Sequence, residues 1–148
     1  MTVLELPNGY LIRFMNGEEV FSGLTAFAVD RGITAAWVQG LGALSRAEIG
    51  YFDMESRSYL RKKVDEDVEL AGLTGNLGLV EGKPFPHLHV TLSRKDCTVM
   101  GGHLFEGHTS ATVEIMITNF TGSTLERKAD ELTGLNLWSL PQKFRLCL

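Results

Sequence analysis

All four histidines of this 148-residue chain lie between positions 87 and 108, and the first 86 residues contain none. Side chains of a β-strand alternate between its two faces, so Pro86-His87-Leu88-His89-Val90 places the imidazoles of His87 and His89 on one face. A chain reversal near Arg94-Lys95-Asp96 lays Thr98 to Leu104 antiparallel beside this strand, where cross-strand neighbours lie about 5 Å apart at Cβ. His103 is therefore the candidate for a third imidazole in the same space.

The face on which the third histidine lies depends on the length of that reversal. A two-residue loop at Lys95-Asp96 places it opposite Leu88, on the wrong face of the sheet, whereas a three-residue loop at Arg94 to Asp96 places it opposite His87. A β-bulge at Gly101-Gly102 would correct the parity equally well, because a bulge adds one residue and glycine tolerates the backbone it needs. We predict one of these two devices.

Three imidazoles suit zinc or another divalent transition metal, bound at about 2.0–2.1 Å with a fourth position left to water or a small-molecule ligand. Such an open site binds or activates a ligand, and it is compatible with catalysis. The alternative is that two of the histidines are surface or hydrogen-bonded core residues that align by coincidence. His108 follows Gly107 in a predicted turn and is the weakest candidate of the four.

Four other polar residues are candidate companions of the histidines. Glu114, between two apolar residues, is the candidate catalytic group, either as a general base near a metal-bound water or as a carboxylate that orients a ligand histidine. Glu69 has a similar apolar setting, and Arg13 is a candidate for neutralising an anionic ligand. An exposed strand position is the alternative for all three. Asn76 is a candidate ligand contact, although Thr74-Gly75-Asn76 is more typical of a turn.

One helix is predicted from Glu18 to Arg31, because Val20, Phe21, Leu24, Phe27 and Ala28 recur at steps of three and four. Gly32 supplies its C-terminal stop. Short β-rich runs surround it, bounded by turn residues: Tyr10 to Met15, Ile33 to Val38, Ala47 to Phe52, Ser58 to Val64, Val68 to Thr74, Leu88 to Leu92, Thr98 to Leu104, Ala111 to Thr118 and Leu125 to Arg127.

Two glycine-rich segments interrupt these runs. Gly40 to Ala43 and Gly72 to Gly78 are each predicted to form a bulge or tight bend, and within the second segment Thr74-Gly75-Asn76 is most typical of a turn. The whole pattern predicts an α+β domain with a mostly antiparallel, mixed sheet and one main N-terminal helix packed on it. The tail from Ala129 to Leu148 is predicted to close the core or an interface.

Composition predicts an ordinary globular domain. No stretch approaches the roughly 20 apolar residues of a membrane helix, and the N-terminus lacks the pattern of a secretory signal, so we expect a cytoplasmic protein without a membrane partner. The net charge of −4 opposes binding to a polyanion such as DNA. The basic run Arg57 to Lys63 is followed at once by Asp65 to Asp67, which indicates a solvated hairpin. Cys97 and Cys147 are predicted to be free thiols.

Several short motifs occur in the order found in the plant and prokaryote conserved (PPC) domain, which the chain resembles over roughly residues 9 to 135. Residues 136–148 then form a C-terminal tail of a single domain spanning 1–148. The motifs are Gly40-Leu41-Gly42-Ala43, Gly50-Tyr51-Phe52-Asp53, Glu69 to Asn76, Pro86-His87-Leu88-His89, Gly101-Gly102-His103-Leu104 and Thr112-Val113-Glu114-Ile115.

The resemblance implies a compact α+β domain that assembles as a homotrimer, of the stand-alone prokaryotic type. The metal-binding pattern of some prokaryotic relatives falls on His87, His89 and His103. Plant members bind DNA through an AT-hook, and the sequence contains no Arg-Gly-Arg-Pro motif of that kind. Four functions stay open: a zinc-binding trimer that takes a small-molecule ligand, a trimeric scaffold that displays the domain for partners, a metal-dependent hydrolase or lyase, and a DNA-binding or regulatory protein.

Overall fold

The computed structural model describes residues 1–141, which form one nine-stranded sheet and a single helix. All strand pairs in these residues are antiparallel except one short parallel pair, so the predicted mostly antiparallel sheet with one helix is confirmed. The elements are β1 (Thr2–Leu6), β2 (Gly9–Met15), α1 (Val20–Asp30), β3 (Ala36–Asp53), β4 (Ser58–Val64), β5 (Val68–Val80), β6 (Lys83–Ser93), β7 (Val99–Asn119), β8 (Glu126–Ala129) and β9 (Asn136–Trp138).

The helix α1 has sequence signals at both of its ends. The Glu19 carboxylate accepts hydrogen bonds from the backbone N–H groups of Phe21 and Ser22, at 2.9 and 2.6 Å, and so caps the first turn. At the other end the N–H of Ile33 donates to the carbonyl of Ala28 at 2.9 Å, and Gly32 has a φ of +60°. This is a Schellman ending, and it confirms Gly32 as the stop. With eleven residues α1 is too short to cross a membrane, and no other helix occurs in residues 1–141.

The buried side chains of α1 belong to the same hydrophobic cluster as the inner residues of the strands. The ring of Phe27 meets that of Tyr10 edge-on, with 5.0 Å between the centroids. A Cβ atom on Gly23 would lie 2.4 Å from Cε1 of Phe14, so the absence of a side chain there lets helix and strand approach closely.

Two long strands, β3 and β7, replace four of the shorter predicted ones. The predicted breaks are irregularities inside continuous strands, because register shifts absorb them. The bulge predicted at Gly40 to Ala43 is confirmed by the shift between Gly40 and Gly42 in the pairing of β3 with β5.

The turn predicted within Gly72 to Gly78 is wrong, because these residues lie inside β5, although the pairing of β5 with β6 shifts register between Leu70 and Gly72. A Cβ atom on Gly75 would lie 2.0 Å from the carbonyl oxygen of His87 on β6. Glycine therefore marks a close approach of two backbones at this position, and the chain continues through it without reversing.

Pairing closes β3, β5, β6 and β7 into a ring, since β3 pairs with β5, β5 with β6, β6 with β7 and β7 with β3. The strand β6 therefore has a neighbour on each side, β5 and β7. This places side chains of three strands beside one another on each surface of the ring.

The described part of the C-terminal tail does not close the core. The strands β8 and β9 form a hairpin, and Leu132, Trp138 and Leu140 are exposed. None of these residues belongs to the buried cluster, whose members lie on α1, on the strands from β2 to β7 and at Ile33. Cys97 is an exposed free thiol, and the prediction for Cys147 lies outside the described residues.

Candidate metal centre

Three histidines converge on one space at the junction of β6 and β7. The ring centroids of His87 and His89 are 5.2 Å apart, and His103 lies 5.2 Å from the first and 5.5 Å from the second. One ring nitrogen of each residue lies within 4.8 Å of the other two. The prediction that the three imidazoles share one face is therefore confirmed.

The register that brings them together differs from both predicted devices. His103 pairs with His89, whereas the prediction placed it opposite His87. Residues 94–98 form a five-residue connection, held by the Arg94 N–H, which donates to the Thr98 carbonyl at 2.9 Å. The pairing of Gly101 and Gly102 with β6 is regular, so no bulge occurs there. A five-residue loop has the same parity as a three-residue loop, and for that reason the face is the predicted one although the partner is not.

Aromatic rings surround the inner side of the cluster. His103 is 7% exposed, and its ring lies 5.1 Å from that of Tyr59 and 4.7 Å from that of Phe105. Its Nδ1 atom is buried and has no hydrogen-bond partner among the described residues. Burial, followed by the proximity of the other two imidazoles, lowers the pKa of His103 to about 4. The ring is therefore neutral at pH 7, which is the form that binds metals.

His87 is neutral for a similar reason. Burial, the Arg127 guanidinium and the His89 ring together lower its pKa to about 4. His89 is exposed, and this leaves one side of the cluster open to solvent.

This donor set fits zinc or another divalent transition metal. In a tetrahedral site with bonds of about 2.0–2.1 Å, ligand nitrogens lie roughly 3.4 Å apart, so closure from 4.8 Å requires small side-chain rotations. Nδ1 of His103 is buried without a partner, and a cation bound at that atom would satisfy it.

Arg127 is a member of the site that sequence reasoning missed. Its Nη2 group donates to Oδ1 of Asn76 at 2.7 Å and lies 3.0 Å from Nδ1 of His87. It reaches this position because β8 pairs in parallel with the end of β5, opposite Val80. No spacing in the sequence signals that contact. Asn76, a predicted ligand contact, pairs with His87 across β5 and β6, and the structure therefore brings it to the cluster.

The other predicted companions lie elsewhere. Glu114 is exposed on β7, eleven residues beyond His103, and pairs with the exposed Arg13 of β2. Glu69 is exposed at the start of β5, where it pairs with Ser93. The structure does not bring these three residues together with the histidines.

His108 lies inside β7 and not in the turn predicted for it. Its Nε2 atom lies 2.6 Å from Oε1 of Glu106 and 3.0 Å from Nη2 of Arg46. It is therefore separate from the three-histidine cluster.

Comparison with known proteins shows which family the chain is similar to. Residues 1–121 match the Plants and Prokaryotes Conserved (PCC) domain, also called PPC. No curated protein matches the sequence. A PPC protein of Pyrococcus horikoshii is 34% identical with a TM-score of 0.85, over 98% of this chain and 96% of that one.

Two further solved structures are similar over nearly their whole length. A metal-containing protein of Archaeoglobus fulgidus is 36% identical with a TM-score of 0.83, over 93% of this chain and 99% of that one. A candidate DNA-binding protein of Bacteroides thetaiotaomicron is 26% identical with a TM-score of 0.89, over 93% of this chain and 95% of that one. The match over residues 1–121 and the two relatives above 30% identity show that the chain belongs to the PPC family.

Proposed function

We propose that this protein binds one divalent transition metal ion, zinc in the first place, through His87, His89 and His103, and that a small-molecule ligand binds at the open side of the ion. The main support for the proposal is the convergence of three imidazoles, each with a ring nitrogen within 4.8 Å of the other two. The Archaeoglobus fulgidus relative, described as metal-containing, supports it.

The residues at this site have different roles. His87 and His103 are neutral at pH 7 and present lone pairs, while the rings of Tyr59 and Phe105 exclude water from the inner side. The exposed His89 borders the solvent side, from which a ligand would enter. When bound, the metal supplies a Lewis acid for an oxygen or nitrogen atom of that ligand.

Metal content tests the proposal directly. Protein purified without an affinity tag and without added metal is expected to contain about one transition-metal ion per chain by mass spectrometry. The His103→Gln variant is expected to lose it, because one of three ligands is removed. His108→Gln is the matched control, since it removes a histidine of the same strand outside the cluster, and it should keep the metal. Equal metal content in the two variants would contradict the assignment.

Hydrolase or lyase chemistry requires a general base near the open coordination position. Glu114, the candidate for that role, lies on an exposed part of β7 and pairs with Arg13. We therefore propose ligand binding and do not extend the proposal to catalysis.

DNA binding is a second candidate function, because the Bacteroides thetaiotaomicron relative is described in those terms. The charges of this chain oppose it. The net charge is −4, and Arg61, within the basic run of β4, lies 3.5 Å from a carboxylate oxygen of Glu48. Neutralisation of phosphates by free cationic side chains drives non-specific DNA binding. We therefore rank it below the metal site.

We also propose that the chain assembles as a homotrimer through an apolar groove of about 610 Å³ formed by β1, β2, β3 and β7. Large hydrophobic side chains are exposed along this groove, namely Val3, Leu4, Leu11, Leu41 and Met116. Contiguous exposed apolar surface of this kind is typical of protein interfaces. We also propose a cytoplasmic location, as expected from the sequence.

A further inference from the structure

Arg127 is a buried cation without a carboxylate partner. The side chain is 7% exposed, and no ion pair of Arg127 with an acid occurs within residues 1–141. Its Nε atom is buried and lacks a hydrogen-bond partner in the same part of the chain. Burial of an unpaired charge costs free energy. A guanidinium in this setting is therefore a candidate for binding an anionic ligand.

Neutral contacts hold the guanidinium in place. Nη1 donates to the carbonyl oxygen of Asn136 at 2.9 Å, and Nη2 donates to Oδ1 of Asn76 at 2.7 Å. The ring of Trp138 lies 5.7 Å from the guanidinium carbon. These contacts fix the position of the cation without neutralising it.

The remaining contact of Arg127 is with a proposed metal ligand. Nη2 lies 3.0 Å from Nδ1 of His87, and because arginine only donates, the imidazole nitrogen must accept with its lone pair. A metal bound at Nδ1 would use that same lone pair. A metal bound at Nε2 would leave the proton on Nδ1, so that two donors would face each other.

Metal binding at His87 is therefore incompatible with the hydrogen bond from Arg127, whichever ring nitrogen is the ligand. Loading the site breaks that bond and leaves a guanidinium donor free beside a divalent cation. The two positive charges repel each other, and an anion placed between them stabilises both. A carboxylate matches the planar fork of arginine and is also a ligand for zinc.

We propose that the ligand of this site is a small carboxylate, which binds to Arg127 through its carboxylate group beside the metal ion held by the three histidines. This inference rests on the proposed metal site. In the metal-free protein Arg127 donates to His87, and in the loaded protein it donates to the ligand.

Calorimetric titration of the zinc-loaded protein with glycolate, and with the neutral isostere glycolamide, tests the inference. Glycolate is expected to bind the wild type at least about tenfold more tightly than glycolamide. Arg127→Met should keep zinc and lose at least about tenfold in affinity for glycolate, with glycolamide unchanged. Arg127→Lys keeps the positive charge but not the planar fork of the guanidinium. Its affinity for glycolate is expected to lie between those of the wild type and of Arg127→Met. The lysine variant also serves if the methionine variant does not fold.

A second readout follows from the competition for His87. In the absence of glycolate, Arg127→Met is expected to bind zinc more tightly than the wild type, because neither the arginine hydrogen bond nor the charge repulsion opposes the metal. A purely structural role of Arg127 predicts weaker zinc binding in this variant.

The outcomes separate the two proposals. Equal binding of glycolate and glycolamide to a zinc-loaded wild type, or undiminished glycolate binding by Arg127→Met, overturns the role of Arg127 and leaves the metal site standing. Binding of inorganic phosphate that depends on Arg127, without binding of glycolate, overturns the carboxylate assignment. Absence of zinc binding by the wild type contradicts the metal site and this inference with it.

Discussion

His103 lies among aromatic rings where water does not solvate a charged imidazolium. Tyr59 and Phe105 are 5.1 and 4.7 Å away between ring centroids, and the histidine is 7% exposed. The resulting pKa of about 4 is well below the value of about 6.5 in an unfolded chain. The same environment that keeps the ring neutral for a metal thus makes its protonation oppose folding.

The free energy of unfolding of the metal-free protein is therefore expected to decrease as the pH is lowered. As the pH drops from about 6.5 towards 4, the unfolded chain binds protons at His87 and His103 that the folded chain does not. The free energy of unfolding is thus highest above about pH 6.5. His103 alone should lower it by about 2 kcal/mol between about pH 7.5 and 5.0.

Urea denaturation with a chelator present, at these two pH values, measures the effect. His103→Gln should show a smaller loss of stability between them than the wild type, whatever its absolute stability. An identical pH dependence in the two proteins would show that this imidazole does not have the lowered pKa.

The location of the His87 and His89 side chains on the same face of β6 could be predicted, because alternation along a strand is a local property. The partner of His103 could not, since it depends on whether the loop after β6 has three residues or five. Arg127 could not be predicted either. Its contact with His87 joins residues 40 positions apart through a parallel strand pair, and no local pattern encodes that pair.

Among the elements, the close approach of β5 to β6 determines the position of the His87 backbone, and hence of its Cβ atom. Gly75 lies against the backbone of that residue, and an added Cβ would lie 2.0 Å from its carbonyl oxygen. Gly72, on the same strand, has open space at the corresponding position and no left-handed φ. The two glycines thus differ in what a methyl group would meet.

Gly75→Ala is expected to lower the free energy of unfolding by about 3 kcal/mol, because the two strands must separate to admit the methyl group. It should also weaken metal binding, since the backbone of His87 moves. Gly72→Ala is the matched control and should change stability by less than about 1 kcal/mol. Equal effects of the two substitutions in urea denaturation would contradict this account of the β5–β6 contact.

The helix could be predicted to within two residues at each end, because Glu19 and Gly32 act locally at its caps. The lengths of β3, β5 and β7 could not be predicted. Glycines that normally punctuate strands serve here as bulges and close contacts, as Gly40 and Gly75 illustrate, and only the neighbouring strands distinguish these uses. The short strands β1 and β9 were missed for the related reason that their residues are exposed and do not alternate.

At the scale of the whole molecule, the apolar groove is the surface whose exposure most requires an explanation. It lies on β1, β2, β3 and β7 and shares no residue with the three-histidine cluster. Covering it by copies of the same chain would bury the exposed side chains of Leu11, Leu41 and Met116. Assembly and metal binding are therefore expected to be separable by mutation.

Leu41→Arg is expected to convert a homotrimer into a monomer, because it places a charge inside the proposed interface. Light scattering after gel filtration should give about 49 kDa for the wild type, three times the chain mass of 16.3 kDa, and the chain mass for the variant. Leu60→Arg is the matched control, with an exposure of 60% against 57% for Leu41, and it lies on β4 outside the groove. A monomeric wild type, or a trimeric Leu41→Arg variant, would contradict the proposed interface.

That one cation binds between the three imidazole rings can be tested by anomalous X-ray diffraction from crystals grown with zinc. We expect one anomalous peak per chain above the zinc absorption edge and none below it, at about 2.0–2.1 Å from one nitrogen each of His87, His89 and His103. A peak bound by other residues, or three rings that remain in place without any peak between them, would contradict the claim.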